Sequence, residues 1–122
     1  MANSLTVGQS LTFKTASLTS PITRNDPSVT IAPSGDHFVS GVMDTSTTPA
    51  AIPMGSVATA GWCRMKNLDA TNDITIRIGS GGADVVKLKA NDPAMVFRLA
   101  ANNPYATASA GTPKLDYMIV EA

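Results

Sequence analysis

Ile74-Thr75-Ile76-Arg77-Ile78-Gly79-Ser80-Gly81-Gly82, continued by Val86-Lys87-Leu88-Lys89, is the stretch whose pattern decides the fold. Isoleucine at every second position, with Thr75 and Arg77 between, is the period of a half-buried strand. The glycine run then supplies the positive φ values of a tight reversal. Val86 and Leu88 resume the apolar face, with Lys87 and Lys89 opposite them. The segment predicts a β-hairpin.

Working outward, Asn91-Asp92-Pro93 reads as the next turn and Met95, Phe97 and Leu99 as the next inward face, alternating with Val96 and Arg98. Asn102-Asn103-Pro104 turns again, and a last strand runs from Leu115 to Val120. Upstream, Leu11 and Phe13, Val29 and Ile31, Phe38 to Met43 and Trp62 to Leu68 are further candidates. Eight prolines are spread from Pro21 to Pro113, and each disfavours a helix passing through it. The expectation is an all-β chain of about eight to ten short strands forming an antiparallel, jelly-roll-like β-sandwich. The 122 residues fit one domain. That domain is expected to span 1–122, with 1–25 as an extended N-terminal arm or as the first strand of the domain.

Two segments hint at association. Leu5, Val7, Leu11 and Phe13 alternate in the N-terminal stretch, as in an arm that adds a strand to a neighbour. In the last strand Leu115, Tyr117 and Ile119 form one face, yet Met118 and Val120 make the other apolar too. Such a strand lies between two layers or against a neighbour. Tyr105, beside Pro104, reads as an exposed loop aromatic. These seven residues, Leu5, Val7, Leu11, Phe13, Tyr105, Met118 and Val120, are the candidate assembly contacts.

Composition narrows the function classes. Nine basic and nine acidic residues give zero formal net charge, without the positive surplus that neutralises phosphates, so no nucleic-acid partner is expected. Charged residues are 15% of the chain against a usual share of about 25%, which suits a surface that something covers. No apolar run approaches the roughly 20 residues of a membrane span. The first residues carry no basic-then-apolar leader, so a soluble protein made in the cytosol is expected. Cys63 is the sole cysteine and allows no disulfide within the chain.

Candidate chemistry is sparse. His37, the single histidine, stands beside Asp36, and with Cys63 or a serine it could in arithmetic form a nucleophilic site. Gly61-Trp62-Cys63-Arg64 has strand character, so His37 reads as a strand-start residue and Cys63 as a small buried hydrophobe. Two residues fall short of the three or four ligands of zinc. Asp69, Asn72 and Asp73 could approach calcium but lack the loop spacing and closing glutamate of an EF-hand, and a turn explains them. The glycines at 79–82 are followed by no Lys-Ser or Lys-Thr that would mark a phosphate loop. No cofactor, no metal and no catalytic residue is expected.

From Gly61-Trp62 onward, the order of elements resembles small structural proteins of tailed bacteriophage virions. The resemblance rests on Lys66-Asn67-Leu68-Asp69-Ala70-Thr71-Asn72, the Ile-rich strand and Gly-rich hairpin, and Leu88-Lys89-Ala90-Asn91-Asp92-Pro93-Ala94 before Phe97-Arg98-Leu99. It continues in Tyr105-Ala106-Thr107-Ala108 and the terminal Leu115-Asp116-Tyr117-Met118-Ile119-Val120-Glu121-Ala122. Asp92-Pro93 stands where such proteins would have Gly-Glu, one turn for another. The resemblance covers about half the chain and implies a non-enzymatic virion component, foremost a capsid decoration or cement protein that binds the assembled major capsid lattice. A tail, neck or head-fibre component or a receptor-binding tip is the alternative, and a carbohydrate-binding module of a cellular enzyme comes from another class. The partners implied are copies of the chain itself, with a trimer by analogy, and the major capsid protein or other virion proteins.

Overall fold

The computed structural model describes residues 3–17 and 19–122; Met1, Ala2 and Leu18, within the stretch expected as an arm, lie outside them. Ten strands follow in order: β1 Leu5–Phe13, β2 Ile22–Ile31, β3 Phe38–Asp44, β4 Ala50–Ala51, β5 Ala60–Asn67, β6 Ile74–Ile78, β7 Asp84–Leu88, β8 Met95–Arg98, β9 Pro104–Ala108 and β10 Lys114–Glu121. No helix long and apolar enough to cross a membrane is present among the described residues. The chain divides into two units, Met1–Ser34 and Gly35–Ala122.

The deciding stretch forms the β6–β7 hairpin, with Ile74 opposite Leu88 and Ile76 opposite Val86. Gly79 has φ +80° and Gly82 lies against the Ile78 carbonyl with no room for a Cβ, so both turn glycines are sterically required. Between Ile76 and Arg77 the register shifts, and Arg77 then meets Asp84, whose carboxylate its guanidinium holds at 2.7 Å. The shift leaves Val85 facing solvent.

In the second unit all strand pairs are antiparallel, in two four-stranded sheets ordered β3-β10-β5-β8 and β4-β9-β6-β7. The pairs β3·β10, β4·β9, β5·β8 and β6·β7 are nested, as if one long hairpin had been rolled up; β10·β5 and β6·β9 then close the sheets. The two sheets form a β-sandwich around one core. Cys63, Met65, Leu115, Tyr117 and Ile119 enter it from one sheet, and Ile74, Ile76, Leu88 and Ala106 from the other. Ile52, Val57 and Leu99 fill its margins. The alternation read from the sequence fixes these inward faces.

Three expectations change. Tyr105 is no loop residue: β9 begins at Pro104, a first-strand position where its missing N–H costs nothing, and Tyr105 lies half-buried opposite Ala51 and Arg77. Met95 does not share the burial of Phe97 and Leu99, because it opens a four-residue edge strand and stays exposed. β10 is central within its sheet, between β3 and β5, yet Met118 on its outer face remains exposed.

The first unit is a two-stranded antiparallel ribbon, β1·β2. The bound expected at residue 25, for an arm or a first strand, falls inside β2, which continues to Ile31 and pairs back as far as Leu5. Pro27 sits where the register shifts between Val7 and Gln9, a bulge position that accepts proline without loss of a ladder bond. Gly8 faces this bulge; a Cβ there would come within 2.9 Å of the Ser28 Oγ.

Candidate assembly surface

The register of the ribbon sorts its side chains by polarity. Leu5 lies opposite Ile31, Val7 opposite Val29 and Phe13 opposite Ile22, and Leu11 shares their face by alternation along β1. Gln9, Arg24 and Asp26 interrupt this apolar face near its middle. The other face is threonine-rich: Thr6 and Thr30 hydroxyls bond across the strands at 3.2 Å, and Thr12 and Thr23 at 3.1 Å. Leu11 is 73% and Phe13 60% exposed, and no residue described in this unit is buried. Two strands bury too little to be more than marginally stable in water. A ribbon with its apolar side turned to solvent is therefore incomplete without something to cover it.

A second uncovered region lies on the outer face of the sheet containing β3. Phe38 and Val42 on β3 are 60% and 56% exposed, and Phe38 pairs with Val120, Ser40 with Met118 and Val42 with Asp116. Arg64 reaches Asp116 at 3.2 Å on the same face. The outer face of an antiparallel sandwich is ordinarily polar. Of the seven residues expected at contacts, Leu5, Val7, Leu11 and Phe13 thus share one ribbon face. Met118 and Val120 share one sandwich face, and Tyr105 belongs to the opposite sheet. Phe38, Val42, Ile22 and Val29 complete these surfaces. The sequence signalled them only as unremarkable strand alternation.

The residues weighed for chemistry are engaged otherwise. Glu121, whose side chain is 12% exposed, accepts the backbone N–H of Ala58 at 3.0 Å on one oxygen. The other oxygen takes the N–H groups of Asp36 and His37 at 3.2 Å each, and the His37 ring Nδ1 at 2.9 Å. Gly35 lets this carboxylate approach, since a Cβ there would collide with the Glu121 side chain. Asp36, His37 and Glu121 form the one close group of metal-ligating types among the described residues, and these internal bonds already occupy it. The cluster works as a clasp tying the end of β10 to the segment before β3.

The clasp makes stability depend on pH in two limbs. Hydrogen bonds from Ala58 and then His37 lower Glu121 from its ordinary 4.5 to about 2. Its contribution is therefore complete above pH 4.5 and lost as pH falls towards 2. The bond to Glu121, its charge and that of Asp36 raise His37 above its ordinary 6.5. That contribution is complete below pH 6.5 and fades as pH climbs through the raised value. The thermal midpoint is expected to peak between about pH 4.5 and 6.5. In thermal melts across pH, His37→Ala should flatten the alkaline limb and Glu121→Gln the acid limb. Identical profiles for wild type and both variants would contradict this.

Cys63 is core, and burial pushes its thiol up to about 12, so little nucleophilic thiolate forms at neutral pH. Asp69 caps its own loop, accepting the N–H of Asn72 at 2.6 Å and of Thr71 at 3.1 Å, which hold its carboxyl below its ordinary range. Asp73 accepts the Ala90 N–H and draws Lys87 to 3.7 Å. No protein-family model, no curated protein and no solved structure matches the chain.

Proposed function

We propose that this chain is a non-enzymatic structural component of a tailed-phage virion, foremost a capsid decoration or cement protein, and that the β1–β2 ribbon is its attachment device. The carrying observation is the ribbon's one-sided apolar face, exposed in the single chain. The nested strand pairing supports a jelly-roll reading of the sandwich. The resemblance over residues 61–122 supports the virion, and the engaged His37 and buried Cys63 favour scaffold over catalyst.

Magnitudes fit a lattice. Burying what remains exposed of Leu11, Phe13, Ile22 and Val29 would contribute on the order of 4–7 kcal/mol, while association costs about 4–15 kcal/mol. One ribbon binds weakly by that reckoning, and tight attachment comes from copies engaging a repeated surface together.

The test is co-sedimentation with expanded empty capsids. A full-length Leu11→Lys, Phe13→Lys double variant should pellet at least about tenfold less than wild type, with an unchanged thermal midpoint because both side chains are exposed. Equal pelleting would remove the ribbon from the proposal, and a wild type that ignores capsids would remove the decoration role. A tail, neck or head-fibre station would use the same ribbon, and offering tails in place of capsids separates those readings.

A further inference from the structure

Among the described residues, each sheet of the sandwich ends in strands with one unpaired side, and three of these four edges are guarded. β4 is two residues long; β7 is broken by its register shift and carries Asp84 and Lys87; β8 is four residues long and ends in Arg98. β3 has seven residues, Phe38-Val39-Ser40-Gly41-Val42-Met43-Asp44, with no proline, no bulge and no charge before its last position. A long, flat, uncharged edge is a template for another strand.

The ladder shows which groups it offers. The Thr45 N–H bonds the Pro113 carbonyl and the Glu121 N–H bonds the His37 carbonyl. Odd-numbered residues of β3 therefore bond towards β10, and Phe38, Ser40, Val42 and Asp44 turn N–H and C=O outward.

We infer that β3 pairs antiparallel with β3 of a second copy across a two-fold axis at Ser40. In this register Phe38 lies opposite the second copy's Val42, Ser40 opposite Ser40, and Val42 opposite Phe38, each pair exchanging both of its N–H···O bonds. Directly opposite residues share a face, so the exposed aromatic and β-branched side chains cover one another on the outer surface. Shifting by one pair would instead set Phe38 against Asp44. The two sheets become one continuous sheet, and the contact is isologous, giving a dimer where analogy suggested a trimer. The register has one repulsive row at each end, where Asp44 faces the second copy's Asp36 beside the Lys114–Asp44 ion pair of 2.6 Å. The inference is independent of capsid binding and of the ribbon.

Sedimentation velocity of the full chain over a concentration series tests it. Wild type should approach twice the 12.6 kDa chain mass as concentration rises. Ser40→Pro removes an outward N–H without touching the bonds to β10 and should weaken the dimer at least about tenfold. Val42→Lys should do the same by charge; it carries the test if the proline variant fails to fold. Asp36→Asn should tighten the dimer by relieving the repulsive row, and the Leu11→Lys, Phe13→Lys variant should leave it intact. A monomer at every concentration would overturn the inference. So would a trimer, or an oligomer indifferent to Ser40→Pro and Val42→Lys but lost in the ribbon variant.

Discussion

Ile119→Ala is expected to cost about 3–4 kcal/mol of folding stability, within the range for truncating a buried aliphatic side chain. Ile119 is fully buried, opposite Cys63 on one side and Val39 on the other. A cavity is cheap only where the surroundings can collapse into it. β10 is held by hydrogen bonds to both β3 and β5, so its backbone cannot move inward without breaking a ladder. Against a total stability of about 5–15 kcal/mol, the loss is large. With an m-value near 1–1.5 kcal/mol/M for a domain of this size, the urea midpoint should fall by roughly 2–4 M. Met118→Ala, one residue earlier and facing outward, should shift the midpoint by less than about a third as much. Equal effects at the two positions would mean that the inward face of β10 has been misassigned.

Asn67→Ala is expected to cost about 2–4 kcal/mol through hydrogen bonds left unmade. Asn67 is buried at the end of β5, and its Nδ2 donates to the carbonyls of Asn72 at 2.8 Å and Leu88 at 3.0 Å. Its Oδ1 accepts the Asp69 N–H at 2.9 Å. One amide thus ties the loop after β5 to β7 in the facing sheet. Alanine would leave two carbonyls and an N–H in a site that water reaches poorly. Asn67→Asp keeps the acceptor and loses both donations, so it should also destabilise, most strongly at neutral pH where its charge faces two carbonyl oxygens. Urea unfolding of both variants checks this, and a midpoint within about 0.3 M of wild type for Asn67→Ala would refute it.

Asn67 also shows how much of the site and fold could be read early. Lys66-Asn67-Leu68-Asp69-Ala70-Thr71-Asn72 was recognisable as a motif, and Asp69 as the maker of a turn. That Asn67 bridges to Leu88, 21 residues later, follows from the meeting of two sheets and is invisible along the chain. Glu121 is a similar case: an ordinary acidic residue near the C-terminus becomes the acceptor for a loop 84 residues upstream. The β6–β7 hairpin was legible because its partners are adjacent, with turn glycines between them. β2 was half legible, since Val29 and Ile31 alternate but Arg24 to Pro27 do not look like a strand. Its lower half is a strand because β1 pairs with it.

Local sequence alone makes the chain all β and sets which faces of β6, β7 and β10 point inward. Those properties follow from local period, proline spacing and side-chain chemistry, which need no knowledge of distant neighbours. Only the tertiary structure decided that Leu5 to Phe13 pair with Ile22 to Ile31 as a separate ribbon, that Tyr105 lies in a strand, and that Glu121 clasps His37. It also decided which of four sandwich edges is left long and uncharged. Exposure and edge position are set by which strands are neighbours, and in a nested antiparallel sandwich those neighbours lie far apart in the chain.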